Sequence, residues 1–218
     1  MIKGAIFDLD GVIVNTVPFH FKAWQKMFEG YGHKFTMSDY LAKVDGKPRL
    51  EGAAAILTEL NPEELKQAGD IKQKFYLELL DKEPLEQFNS TIKLIHEMKE
   101  QGIKLAAASS SKNAVRILKK IDLLKEFDAN VSGADLKKGK PDPEIFLTAA
   151  SRINLTAADC VVFEDAKSGV EAAKNGHFLC IGIDRHNDPE TLHRADVIVK
   201  DLAEISLADI ITLKQKTN

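Results

Sequence analysis

Apolar and polar positions along this chain fall into two rhythms. Six short apolar runs, "GAIFDL", "KLAAAS", "FDANVS", "CVVFED", "FLCIGID" and "DVIVK", alternate with stretches whose apolar residues recur every three or four positions. The first rhythm predicts strands and the second amphipathic helices, and their alternation predicts a parallel α/β sheet. "STIKLIHEMKEQG" sets Ile92, Ile95 and Met98 on one face and stops at Gly102, a suitable residue for the position just past a helix. "AKSGVEAAKNG" is expected to end at Gly176 in the same way, and "PDPEIFLTAASRI" opens with prolines suited to a first helical turn. Strand-helix-strand spacing of this kind implies right-handed crossovers with helices on both faces of the sheet.

One region breaks the alternation. From about Asn15 to Leu85 no strand pattern occurs, and "TVPFHFKAWQKMFEGYG", "EGAAAILTELN" and "PEELKQAGDIKQKFYLELLDK" all read as helices. Connections in compact domains run about 4–6 residues, so this segment is too long to be a loop. The expected architecture is a Rossmann-like parallel-sheet core, residues 1–14 and 86–218, with a small α-helical cap domain, residues 15–85, inserted after the first strand. Linkers are placed near residues 14–16 and 82–87.

Composition narrows the field. The chain has 218 residues, 44% of them hydrophobic and 29% charged, as in ordinary globular proteins. A formal net charge of -3 gives no electrostatic case for nucleic acid or an anionic membrane as partner. The N-terminus "MIKGAIFDLD" lacks the apolar core and cleavage site of a signal peptide, and no apolar run approaches the roughly 20 residues of a membrane span. Cys160 and Cys180 lie in apolar runs without metal-like spacing and read as reduced core residues of a cytoplasmic protein. No internal repeat or low-complexity segment is found.

Chemistry gathers where the strands end. In an open parallel sheet, ligands collect beyond the carboxyl ends of the strands. There the sequence places Asp8 and Asp10, then "SSSKN" (Ser109 to Asn113), Lys140 in "KKGKPDP", and Glu164 with Asp165 in "FEDAKSG". A buried carboxylate is costly unless a cation or hydrogen bonds stabilise it. Four carboxylates offer hard oxygen ligands that suit Mg²⁺. Ser109 and the amides after it are expected to open a helix and so to attract an anion, and Lys140 adds positive charge. Together these are parts for phosphoryl transfer, with Asp8 as nucleophile and Asp10 as general acid and base, its backbone carbonyl still able to reach the metal. Each piece also has a plainer reading. Ser109 to Ser111 suit a helix cap, Lys140 suits a solvated loop, and Glu164 and Asp165 suit the cap of a helix starting near Ala166. Joint placement at successive strand ends favours the chemical reading.

"DLDGV", "SSS", "GKPDP" and "FEDAKSGVEAAKNG" resemble the four motifs of the haloacid-dehalogenase-like superfamily, over nearly the whole chain. The resemblance implies that Asp8 becomes phosphorylated, that Asp10 is the acid and base, that Ser109 and Lys140 bind the transferring phosphoryl group, and that Glu164 and Asp165 help Asp8 and Asp10 hold Mg²⁺. Within the superfamily, "VPFHFKAW", "DGKPR", Lys72 and "SSSKN" are similar to the β-phosphoglucomutase group. That similarity implies interconversion of β-glucose 1-phosphate and glucose 6-phosphate by a monomer. Arg49, Ser111, Lys112 and Asn113, with Ser110, would grip the phosphate that is not transferred. Gly46 and Lys72 would line the cap side of the substrate site, His20 would couple cap closure to Asp10, and Trp24 would only pack the cap. The group usually reads Gly-Val-Ser-Arg where this chain has Gly46-Lys47-Pro48-Arg49, and Asn15 replaces a common aspartate. These departures leave a sugar-phosphate phosphatase as the alternative. A receiver-like signalling module would need neither Asp10 nor the helical insert.

Overall fold

The computed structural model describes residues 2–216, so the outermost residues of the expected core, 1, 217 and 218, lie outside the described residues. The chain divides into two compact units, Met1–Asn15 with Glu86–Asn218, and Thr16–Leu85.

In the first unit every expected strand is present: β1 (Gly4–Phe7), β2 (Lys104–Ala108), β3 (Ala129–Val131), β4 (Cys160–Glu164), β5 (Leu179–Ile183) and β6 (Val197–Val199). They form one sheet in the order β3-β2-β1-β4-β5-β6, and every pairing is parallel. β1 is therefore the switch point: the next strand in the chain lies on one side of it and β4 on the other, which opens a crevice at its carboxyl end. A parallel sheet is covered on both faces, and β1, β4 and β5 are buried along their whole lengths. Phe7 stacks on Phe163 with ring centroids 4.5 Å apart, and Ile6, Ala106, Val162, Phe146 and Phe178 share one buried cluster. Of these, each larger side chain, Ile6, Val162, Phe146 or Phe178, contributes about 1.5–3 kcal/mol on burial. Cys160 and Cys180 are both free and buried. Among the described residues no helix is long and apolar enough to cross a membrane.

The core helices follow the apolar periodicity with local corrections. α5 (Asn89–Glu100) buries Thr91, Leu94, Ile95 and Met98, so Ile95 and Met98 face inward as expected while Ile92, at the edge of that face, is only half buried. Thr91 sits on that face because its hydroxyl donates to the carbonyl of Val12 at 2.7 Å. Gly102 has the left-handed backbone expected of it (φ 73°), whereas Gly176 does not. After α8 (Lys167–Asn175) the left-handed residue is His177 (φ 61°), and Gly176 is needed because a Cβ there would sit 2.8 Å from the Phe178 ring. Pro141 and Pro143 precede α7 (Glu144–Arg152) instead of starting it. The remaining core helices are α6 (Ala114–Lys120) and α9 (Leu207–Lys216).

The second unit is helical. α1 (Val17–Gly30) and α4 (Pro62–Lys82) match two of the expected helices. Asn61 caps α4 through its side-chain oxygen, which accepts from the amides of Glu63 and Glu64 at 3.0 Å, while Glu64 accepts from the amide of Asn61 at 2.9 Å. "EGAAAILTELN" is helical only in its first half: α3 (Arg49–Ala54) gives way to turns. Pro62 excludes a helical conformation at Asn61, which is extended at ψ 168°, so the chain must break and turn before α4. A short helix the sequence did not signal, α2 (Met37–Asp39), continues as a π-helical turn, Tyr40–Val44. Trp24, Phe28 and Phe35 form the apolar centre, with ring centroids 5.3 and 4.6 Å apart along that series.

Candidate active site

Asp8 follows β1 and keeps its register, its amide donating to the carbonyl of Phe163 at 3.0 Å. The residue is only 5% exposed. Lys140 reaches it from the loop before α7 and is no solvated loop lysine: its side chain is 10% exposed, and Nζ donates to Asp8 Oδ1 at 2.6 Å and to Glu164 Oε2 at 2.7 Å. Glu164, the last residue of β4, uses its other oxygen to accept from the amide of Ala166 at 3.0 Å. Asp165 follows, half buried, and carboxylate oxygens of Asp8, Glu164 and Asp165 all lie within 4.8 Å of one another.

Burial governs the electrostatics. It pushes the Asp8 carboxyl up to about 8, with Lys140 opposing and Glu164 and Asp10 reinforcing the rise. Burial also drives Asp165 well upward, helped by Glu164 and Asp8. For Lys140 burial acts downward but is outweighed by Asp8 and Glu164, so its ammonium is held more firmly than usual. Three carboxyl groups converge, and the one lysine bridges only two of them, so they resist ionising together unless a further cation joins them. That donor set, all hard oxygens, fits Mg²⁺. The Asp10 carboxylate lies outside this group of three and instead accepts from the Ser109 hydroxyl at 3.2 Å.

Glycines set the close approaches. Gly11 has φ 81°, and a Cβ there would overlap the Asp165 carboxylate. Gly169, in the first turn of α8, leaves no room for a methyl beside Glu164, and Gly133, two residues past β3, leaves none beside the Ser110 carbonyl. The sequence reading passed over Gly133 and Gly169. A glycine just past a strand end, or just inside a helix that follows acidic residues, is the signal that would have marked them.

The serine segment departs from expectation. Ser109 does not open a helix: α6 starts at Ala114 and has only 7 residues. Instead, the amide of Ser111 donates to Ser109 Oγ at 3.0 Å and that of Asn113 to Ser111 Oγ at 3.1 Å, forming side-chain turns. Those two amides are engaged, and the Ser109 hydroxyl, which accepts one of them, donates to Asp10. Ser110 and Lys112 are exposed, and Ser111 and Asn113 are half buried.

The other expected residues lie in the helical unit. Lys72 is 4% exposed, with Nζ 2.8 Å from His20 Nδ1 and 5.1 and 5.0 Å from the Trp24 and Tyr76 ring centres. The His20 ring lies 4.5 Å from that of Tyr76. Burial and the Lys72 charge hold the His20 imidazole well below its usual range, so it is neutral; Nδ1 accepts from the ammonium and the ring proton belongs on Nε2. Arg49 is exposed, with Nη2 3.6 Å from the Asp70 carboxylate, and Gly46 is exposed with φ 71°. Trp24 is buried in the apolar centre.

Known proteins resemble the chain over most of its length. A haloacid dehalogenase-like hydrolase family model matches residues 5–183. A β-phosphoglucomutase of Bacillus subtilis is 34% identical over 215 residues, covering 94% of this chain and 92% of that one. A phosphorylated carbohydrates phosphatase of Thermotoga maritima is 36% identical over 181 residues, covering 80% and 81%. The crystal structure of a β-phosphoglucomutase from a hyperthermophilic Pyrococcus superposes with a TM-score of 0.82 at 32% identity, covering 99% of this chain and 100% of that chain. A mutase and a phosphatase are thus similar to it in nearly equal measure, both of one superfamily of phosphomutases and phosphatases. It is to that superfamily of enzymes, the haloacid dehalogenase-like hydrolases, that this chain belongs.

Proposed function

We propose that the enzyme transfers phosphoryl groups of sugar phosphates through an aspartyl phosphate on Asp8, and that its reaction is the interconversion of β-glucose 1-phosphate and glucose 6-phosphate. The observation that carries the transfer chemistry is the buried Asp8–Lys140–Glu164 arrangement with Asp10 against Ser109 alongside it. Asp8, Glu164 and Asp165, with the Asp10 carbonyl, would hold Mg²⁺, which when bound neutralises charge on the transferring group and keeps Asp8 ionised. Lys140 fixes the rotation of the Asp8 carboxylate and lies where a phosphoryl oxygen gains charge. An Asp8 oxygen attacks phosphorus, the bond from phosphorus to the sugar oxygen breaks, and Asp10 supplies the proton that oxygen needs. In the second half, Asp10 takes the proton from the accepting hydroxyl as that oxygen attacks phosphorus and the bond to Asp8 breaks. Ser109 donates to Asp10 at rest and would turn its hydroxyl to the phosphoryl group.

The mutase reading rests on charge beyond what one phosphate requires. Arg49, Lys112 and Asn113, with Ser110 and Ser111, are assigned to the phosphate that stays on the sugar, and Gly46 and Lys72 to the sugar side. His20, neutral and held by Lys72, would be the coupling residue. The phosphatase reading is favoured by Lys47 and Pro48 in "DGKPR" and by the similarity to the Thermotoga enzyme. The experiment that separates them supplies β-glucose 1-phosphate, Mg²⁺ and a trace of the 1,6-bisphosphate. Glucose 6-phosphate is expected as the main product; a predominance of inorganic phosphate would replace the mutase with the phosphatase.

A further inference from the structure

Arg185 follows β5 and takes no part in the transfer steps above, yet its guanidinium makes contacts with three segments near them. Nε donates to the carbonyl of Gly11 at 2.8 Å, and Nη1 donates to the carbonyl of Lys200 at 3.3 Å. The Asp201 carboxylate lies 3.6 Å from Nη1, and the guanidinium carbon stands 3.7 Å over the Phe88 ring. The side chain is 16% exposed. Burial lowers its pKa, opposed by the carboxylates of Asp201 and Asp165.

These contacts converge from three segments. Gly11 ends the loop that carries Asp8 and Asp10. Phe88 begins the returning chain at α5 and is itself tied to that loop's strand, its amide donating to the Ile13 carbonyl at 3.0 Å. Lys200 and Asp201 follow β6. A planar guanidinium can stack on a ring and direct two donors at once, which an ammonium cannot do.

The Gly11 peptide needs such a hold. With φ 81° and no side chain, its orientation depends on its hydrogen bonds: its amide donates to the Val14 carbonyl at 2.8 Å, and its carbonyl accepts from Arg185. Asp10 is the residue immediately before it. The Gly11 carbonyl belongs to the Gly11–Val12 peptide, which meets the Asp10–Gly11 peptide at the Gly11 Cα; freed from Arg185 it could turn about torsions that no Gly11 side chain restricts, and the Asp10 peptide would lose its fixed neighbour. We infer that Arg185 is a positioning residue for Asp10: stacked on Phe88, it clamps the Gly11 carbonyl and thereby fixes the angle from which Asp10 serves the transferring group. The inference rests on the aspartyl-phosphate reading.

The two transfer steps depend on Asp10 unequally when the leaving group is good. Nitrophenolate departs with little help from an acid, whereas water attacking the aspartyl phosphate needs a base. Rapid acid quench with nitrophenyl phosphate and Mg²⁺ measures phosphoenzyme formation and decay separately. In Arg185→Met, decay is expected to slow tenfold or more, in line with the roughly hundredfold cost of misplacing a reacting group by an ångström. Formation should stay within about threefold of wild type by the same reasoning. Arg185→Lys should resemble Arg185→Met, and Phe88→Leu should give a smaller loss in the same step. If Arg185→Met does not fold, the other two variants carry the test. Wild-type decay in the folded variants, or equal losses in both steps in proportion to lost thermal stability, would overturn the inference. If wild type forms no phosphoenzyme and Asp8→Asn stays active, the aspartyl-phosphate reading falls and this one with it.

Discussion

Asp8 is an anion only by arrangement. Burial pushes its carboxyl up to about 8, and Lys140 alone does not reverse that. Replacing it with asparagine would remove the proposed nucleophile and leave a neutral group of similar shape in the same buried position. Asp8→Asn is therefore expected to lose at least about a hundredfold in turnover while its melting temperature stays within a few degrees of wild type. Turnover and a thermal scan on one preparation check both halves, and retained activity would remove Asp8 from its role. Asp8, Ser109, Glu164 and Asp165 could be singled out in the sequence because each stands at a strand end, where apolar pattern gives way to charge, and Lys140 because it lies in the polar loop after the third strand. Arg185 was not legible. It also follows a strand, but its importance lies in three partners, Gly11, Phe88 and Lys200, up to 174 positions away.

Between residues and domains, the elements hold these groups in register through close backbone approaches. Gly133 fixes the turn after β3 against the Ser110 carbonyl, with no space for a methyl group. Gly133→Ala is expected to displace the Ser109–Asn113 segment and raise KM for phosphate substrates about tenfold, roughly 1.4 kcal/mol of lost binding, with a smaller proportional change in thermal stability. Steady-state kinetics beside a melting curve would show it, and an unchanged KM would mean that the turn is not critical. In the helical unit, α1 and α4 meet through neutral His20 and charged Lys72. The folded-state pKa of His20 lies below its usual 6.5, so the unfolded chain binds the extra proton first. Stability is then at its full value above pH 6.5 and falls as pH drops below 6.5 toward the folded value. Between pH 7 and pH 5 the His20→Gln variant should lose less melting temperature than wild type; parallel curves would show that His20 does not titrate against the fold. Helix existence here was readable from period and caps, α4 most plainly. The early end of α3 and the π-helical turn at Tyr40–Val44 were not, because local turn geometry and packing decide them, not apolar spacing.

For the molecule as a whole, the order of strands could be anticipated only as far as a parallel sheet with a switch point; the placement of β4 beside β1 had to come from the structure. That placement brings Glu164 and Asp165 to Asp8 and makes the site acidic as a unit. Thorough chelation is accordingly expected to abolish activity and Mg²⁺ to restore it. Mg²⁺ at a hundred times its dissociation constant should add about 2.7 kcal/mol of stability. Full activity in a chelated sample would count decisively against a metal site.

The two chain segments that leave and re-enter the core are themselves paired. Val14 bridges Gln87 in antiparallel fashion, and the amides of Asn15 and Phe88 donate to the carbonyls of Glu86 and Ile13, each at 3.0 Å. Residues Thr16–Leu85 thus hang from the open end of a short hairpin whose stem belongs to the core. A hairpin stem in that register can be closed by a two-residue turn. Excising Thr16–Leu85 and joining Asn15 to Glu86 through Asn-Gly should give a folded core that keeps the Asp8–Lys140 pair and hydrolyses a small aryl phosphate. Circular dichroism and release of nitrophenolate would report on it, and an unfolded product would mean that the stem alone does not hold. In the connectivity of the chain, then, the helical segment should be an exchangeable insert between Asn15 and Glu86.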